Sequence, residues 1–138
     1  MTILVIDGRG GNVGRQLVKM ISERLPEEEL IAVGTNSMAT ENMLRGGAKN
    51  AATGENAVIV ACRRADVIVG SIGIAIADAL MGEVTPAMAL AVAQSCAHRV
   101  LIPMNRCETQ VAGIGETPLA ELLEDAVKMI EQQRKGCC

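Results

Sequence analysis

Apolar positions along this chain alternate between two patterns. Thr2-Ile3-Leu4-Val5-Ile6 is an unbroken apolar, β-branched run that stops at Asp7-Gly8, as a strand buried on both faces should. Val13, Leu17, Met20, Ile21 and Leu25 then recur at helical spacing, with Arg15, Lys19 and Ser22 between them. Pro26 and Glu27-Glu28-Glu29 close that helix, and Leu30-Ile31-Ala32-Val33 reads as a second strand stopped by Gly34. A short helix is predicted within Ser37–Arg45, ended by Gly46-Gly47, and a brief third strand over Ala48–Ala52.

Asp66-Val67-Ile68-Val69 and Arg99-Val100-Leu101-Ile102 repeat the buried-strand pattern. Between them lie two alanine-rich segments read as helices, Ile74–Met81 and Thr85–Ala97. Thr85-Pro86 supplies a hydroxyl cap followed by proline at the first helical position. Thr117-Pro118 repeats the device before Leu119, Leu122, Leu123, Ala126, Val127 and Ile130, with Glu124–Lys128 and Glu131–Lys135 spaced to support that last helix. Ala57-Val58-Ile59-Val60-Ala61 fits a strand by composition. It is assigned to a helix because parallel strands on either side need a crossover, with Thr53 as the cap.

The alternation predicts an α/β fold: a doubly wound, mostly parallel sheet of about five strands with helices on both faces, Rossmann-like and three-layered. One domain is expected over residues 1–134, with 135–138 a disordered tail.

Composition narrows the chemistry. The 138 residues include no Phe, Trp or Tyr, while 49% are hydrophobic and 8 are Met. The core must be aliphatic and thioether, with Met81, Met88 and Met104 read as core filler. Base-stacking platforms and a tyrosine acid are excluded. A net charge of −3 carries no nucleic-acid footprint. No signal peptide and no membrane span is recognisable. Five cysteines, at 62, 96, 107, 137 and 138, without a C-x-x-C spacing, offer neither a disulfide framework nor a zinc site. Buried, reduced thiols in a cytoplasmic protein are expected.

The sharpest motif is Asp7-Gly8-Arg9-Gly10-Gly11-Asn12-Val13-Gly14, between the first strand and the first helix. Such a turn lets backbone amides approach a phosphate at a helix N-terminus. Its spacing is imperfect, because Val13 stands where a G-x-G-x-x-G pattern starting at Gly8 wants glycine. The alternative is a tight turn that binds nothing. After the second strand come Gly34-Thr35-Asn36-Ser37, with no acid to hold a ribose hydroxyl, which favours NADP over NAD. The bland reading there is a helix cap by Ser37 or Thr40.

Candidate ligand contacts are therefore Gly8, Gly10, Gly11, Asn12, Gly14, Thr35, Asn36 and, after the fourth strand, Gly70, Ser71 and Gly73. Asp7 is expected to satisfy loop amides. Glu55, at a helix start, suits a hydroxyl or amine better than a phosphate. Asn105, Arg106 and Cys107 are the weak catalytic candidates, with no partner base in view. His98 precedes the fifth strand and lies at the wrong end, and no metal set is found. The two alanine-rich segments are apolar nearly all round, which points to a homodimer through 74–81 and 85–97.

Val5-Ile6-Asp7-Gly8-x-Gly10-Gly11, Gly34-Thr35-Asn36, Ala52-Thr53-Gly54-Glu55-Asn56, Ala65–Gly70, Gly82–Pro86 and Ile102-Pro103-x-Asn105-Arg106-Cys107 together resemble a family of short bacterial Rossmann-like proteins classed as a domain of unknown function. The resemblance implies a bacterial, cytoplasmic origin and carries no catalytic residue over. Three functions stay open: binding of a nucleotide, dinucleotide or other phosphorylated small molecule; a small NADP-dependent reductase; and a non-catalytic structural or interaction subunit.

Overall fold

The computed structural model describes residues 1–104 and 109–135. Five strands form one parallel sheet: β1 (Thr2–Asp7), β2 (Glu29–Gly34), β3 (Asn50–Thr53), β4 (Val67–Ser71) and β5 (His98–Ile102). Among the described residues five α-helices accompany them: α1 (Asn12–Arg24), α2 (Ser37–Arg45), α3 (Glu55–Arg64), α4 (Pro86–Gln94) and α5 (Leu119–Lys135). The spatial order β3-β2-β1-β4-β5 means the chain winds outward from β1 through β3, then crosses back through α3 to pair β4 with the other side of β1. The sheet therefore has its switch point between β1 and β4, where open parallel sheets form a ligand crevice.

The unbroken apolar run of β1 serves two cores at once, because strand side chains alternate faces. Ile3 and Val5 join α1 and α5 through Leu17, Val18, Ile21, Leu123, Val127 and Ile130. Leu4 and Ile6 join α3 and α4 through Val58, Cys62, Met88 and Val92. This is the expected three-layer, doubly wound arrangement, and 57–61 lies inside the crossover helix α3.

Several local expectations change. Residues 74–81 are not an α-helix. A short 3-10 turn at Ile72–Ala75 gives way to tight turns in which Asp78, Leu80, Met81 and Gly82 all take positive φ. The Asp78 amide donates to the Val84 carbonyl at 2.7 Å and the Val84 amide to the Ala79 carbonyl at 3.2 Å. That reversal buries Ile74 and Val84 and leaves Met81 84% exposed, so Met81 is not core filler. Met88 is buried as expected, and α4 ends at Gln94 rather than 97.

The α2 cap is Asn36, whose Oδ1 accepts from the Ala39 amide at 2.8 Å. Ser37 and Thr40 do not cap it: the Thr40 hydroxyl shares a hydrogen bond with that of Thr53. Thr53 is thereby taken from α3, whose N-cap is Gly54. Thr85 caps α4 as predicted. Cys62 is buried, and burial pushes its thiol up to about 11, but Cys96 is exposed. Cys107, Cys137, Cys138 and the 136–138 part of the expected tail lie outside the described residues.

The amino end of the sheet is knitted by ion pairs. Arg134 meets Glu27 and Glu28, Arg64 meets Glu29, and the N-terminal amine meets Glu28. Glu124 and Glu131 of α5 both turn to Arg24 of α1, at 2.7 and 2.6 Å. These partners are partly solvated, so each pair contributes about 0.2–1 kcal/mol. Apolar burial dominates the docking of α5: Ile130→Ala is expected to cost about 2–5 kcal/mol, and Arg24→Met about 1 kcal/mol or less. Urea unfolding followed by far-ultraviolet circular dichroism ranks the two, and equal losses would contradict the assignment.

Candidate functional site

Asp7 closes β1 with a buried carboxylate. Its Oδ1 accepts from the Gly8 amide at 2.8 Å and its Oδ2 from the Gly14 amide at 2.6 Å. Gly14 is the third residue of α1, so the carboxylate sits at the positive end of that helix. The expectation that Asp7 satisfies loop amides holds.

Between these points the glycine turn is pressed onto α2. Gly11 caps α1 with φ +75°, and a Cβ there would fall 2.6 Å from the Ala39 Cα, so no other residue fits. Asn42 Nδ2 donates to the Gly10 carbonyl at 2.6 Å, and Asn36 Nδ2 donates to the Arg9 carbonyl at 2.9 Å. Gly8 lies under the Thr35 hydroxyl and Leu80. Gly10 differs: a Cβ there would meet nothing within 4 Å. Of this turn's glycines, Gly8, Gly11 and Gly14 serve close internal contact, and Gly10 faces open space. Asn12 is exposed at the first position of α1. Among the described residues, neither the Asn12 nor the Val13 amide has a protein acceptor.

Glu83 is the residue that sequence reasoning missed. It arrives from the β4–α4 connection and plants its carboxylate between the glycine turn and the end of β2. Oε1 accepts from the Arg9 amide at 3.0 Å, from the Thr35 hydroxyl at 2.9 Å and from Asn36 Nδ2. Oε2 lies 3.8 Å from Arg9 Nε, and the side chain is 25% exposed. Burial pushes its carboxyl upward, but the bonds from Asn36, the Arg9 amide and Thr35, with the Arg9 charge, outweigh it and hold the group below its ordinary value. Thr35 and Asn36 thus do gather beside the glycine turn, yet around a carboxylate. The preference for NADP rested on the absence of an acid there, and Glu83 removes that ground.

Gly70, Ser71 and Gly73 lie at the carboxyl end of β4 and just beyond it. Gly70 is buried in β4, where a Cβ would strike the Ile6 carbonyl oxygen at 2.5 Å, so it serves the β1–β4 contact. Ser71 ends β4 as a buried residue. Gly73 lies in the 3-10 turn. Glu55 accepts from the Thr85 hydroxyl at 2.6 Å, which ties α3 to α4. Asn105, Arg106 and Cys107 lie outside the described residues. His98 opens β5 at the amino end, as expected.

Two cavities among the described residues lie away from this network. One, of about 570 Å³, is a shallow groove beside Thr117, Glu121, Asp125 and Lys128 on α5. The other, of about 380 Å³, lies between α3 and α4, lined by Ile59, Cys62, Ala91 and Cys96. Among the described residues no helix is long and apolar enough to cross a membrane.

Residues 2–135 match a family described as a domain of unknown function, DUF3842. The chain belongs to that family. No curated protein matches it. Among solved structures it is similar to a dodecameric FMN-dependent UbiX-like decarboxylase from Escherichia coli O157:H7. The two are 15% identical with a TM-score of 0.46, over 97% of this chain and 94% of that one.

The Glu83 network makes stability depend on acid. An ordinary glutamate titrates at 4.5, and the folded value lies lower. The unfolded chain therefore binds this proton first, so the contribution is present above 4.5 and is lost as pH falls through the folded value. Urea titrations at about pH 6 and about pH 3 should show a smaller acid loss in Glu83→Gln than in the wild type. Equal losses would show that Glu83 is not held ionised by its partners.

Proposed function

We propose that the chain is a Rossmann-like binding protein that holds a nucleotide, dinucleotide or similar phosphorylated small molecule on the turn between β1 and α1. One observation carries this reading. At the β1–β4 switch point, the first two amides of α1 have no protein acceptor among the described residues, beside the one glycine of the turn that faces open space. Amides at a helix start are oriented for an anion. Arg9, half exposed and alongside, supplies a cation within reach. Asp7 takes the third amide and limits the phosphate to the outer face of the turn.

The test is a thermal-shift screen with NAD, NADP, ATP, AMP, FMN, coenzyme A and inorganic phosphate. A ligand at one hundred times its Kd should stabilise by roughly 2.7 kcal/mol, a shift of several degrees. Gly10→Val should abolish the shift and keep the unliganded midpoint, since that position has room. Gly11→Val is unsuitable because it would drive a side chain into α2. A screen in which nothing stabilises the protein would sink the reading.

Self-association is supported by a separate observation. Helix α4 carries no charged side chain, and its Leu90 is 54% exposed, with Met81 protruding from the preceding turn. The homodimer face is accordingly α4 with residues 78–81 in turn conformation. Light scattering should find a dimer that Leu90→Glu converts to monomer; a monomeric wild type would exclude it.

A further inference from the structure

We propose that Glu83 is the specificity-determining acceptor for ribose hydroxyls, so that the site takes nucleotides with an unmodified ribose and rejects those with a 2′-phosphate. The inference rests on the binding reading above and deepens it by naming the ligand class.

Position is the first argument. Dinucleotide-binding sheets place an acid at the end of the second strand, where it receives ribose hydroxyls. Here β2 ends in Gly34 and continues through Thr35 and Asn36, none of them acidic. Glu83 brings a carboxylate to that spot from the far side of the switch point. It is bonded at once to the glycine turn, through the Arg9 amide, and to the end of β2, through Thr35 and Asn36. The open Gly10 is the next residue along the turn, so an anion on α1 and a sugar beside Glu83 would be neighbours.

Acceptor capacity is the second argument. A carboxylate offers about four lone-pair sites over its two oxygens. All three protein donors fall on Oε1. Among the described residues Oε2 accepts no hydrogen bond; Arg9 Nε lies 3.8 Å from it, too long for one, and the side chain is one-quarter exposed. One oxygen is pinned by the fold and the other is left to receive hydroxyl protons. A 2′-phosphate would instead bring further negative charge against the same oxygen.

The donors also fix the carboxylate in advance. Thr35 and Asn36 cannot rotate toward a ligand without releasing Glu83, so they act through it as positioning residues. Their role differs from the direct ribose contacts expected from the sequence.

Equilibrium binding of four probes to the full chain decides the matter: NAD, NADP, AMP and 2′-deoxy-AMP. The wild type should prefer NAD to NADP, and AMP to its 2′-deoxy form, each by roughly tenfold or more. Glu83→Gln keeps an acceptor for the three protein donors and removes the charge, and should erase most of the NAD preference. Circular dichroism of that variant confirms folding, and the wild-type ratios stand as a test even where the variant fails to fold. Equal binding of NAD and NADP by the wild type overturns the Glu83 assignment alone and leaves the Gly10 reading intact. Absence of binding for all four probes, with phosphate and the other screened ligands also inert, overturns both.

Discussion

The carboxyl end of the sheet is organised by one buried carboxylate. Asp7 stands at the tip of the central strand, 7% exposed, and takes the amides of Gly8 and Gly14. Burying a charge is costly unless hydrogen bonds and local dipoles offset it, and here the start of α1 supplies both. Those bonds fix where α1 begins and in which direction the glycine turn is thrown. Because Gly11 touches Ala39, the same constraint seats α2. A non-acidic residue at position 7 would release the turn, the helix behind it and the helix beside it together.

A second carboxylate is held by a costlier device. To deliver Glu83, the chain from Asp78 to Gly82 turns through left-handed conformations, three of them at residues with side chains. Each costs roughly 1–2 kcal/mol. The offset is visible on either side: Ile74 and Val84 are buried, Leu80 covers Gly8, and Glu83 gathers three donors. Strain of this kind persists where the surroundings over-determine it, and such places are concentrated at sites of recognition.

The sequence and the fold agree where burial acts on both faces of an element. The β1, β2 and β4 runs are apolar throughout because helices cover both sides, and such runs are legible in isolation. The α3 crossover was legible by topology, since composition alone favoured a strand. Residues 74–81 misled because alanine, isoleucine, leucine and methionine suit a helix locally. Packing of Leu80 and Val84 overrides that preference, and only Asp78 and Gly82, both tolerant of positive φ, hint at it. Glu83 was illegible for a plainer reason. It lies 47 residues from Asn36, and nothing local connects them until the sheet order brings β4 beside β1. The glycines of the β1–α1 turn are adjacent in the sequence, but which of them face inward depends on α2, which no spacing rule contains.

The aliphatic interior has a further physical consequence. With no Phe, Tyr or Trp anywhere in the chain, the protein is nearly transparent in the near ultraviolet and has no intrinsic fluorescence. Its concentration must be read from peptide absorbance. In return, any bound purine, nicotinamide or flavin would dominate the near-ultraviolet absorbance of the molecule. The packing that forgoes ring stacking thus leaves an optical background against which a single bound ligand is directly visible.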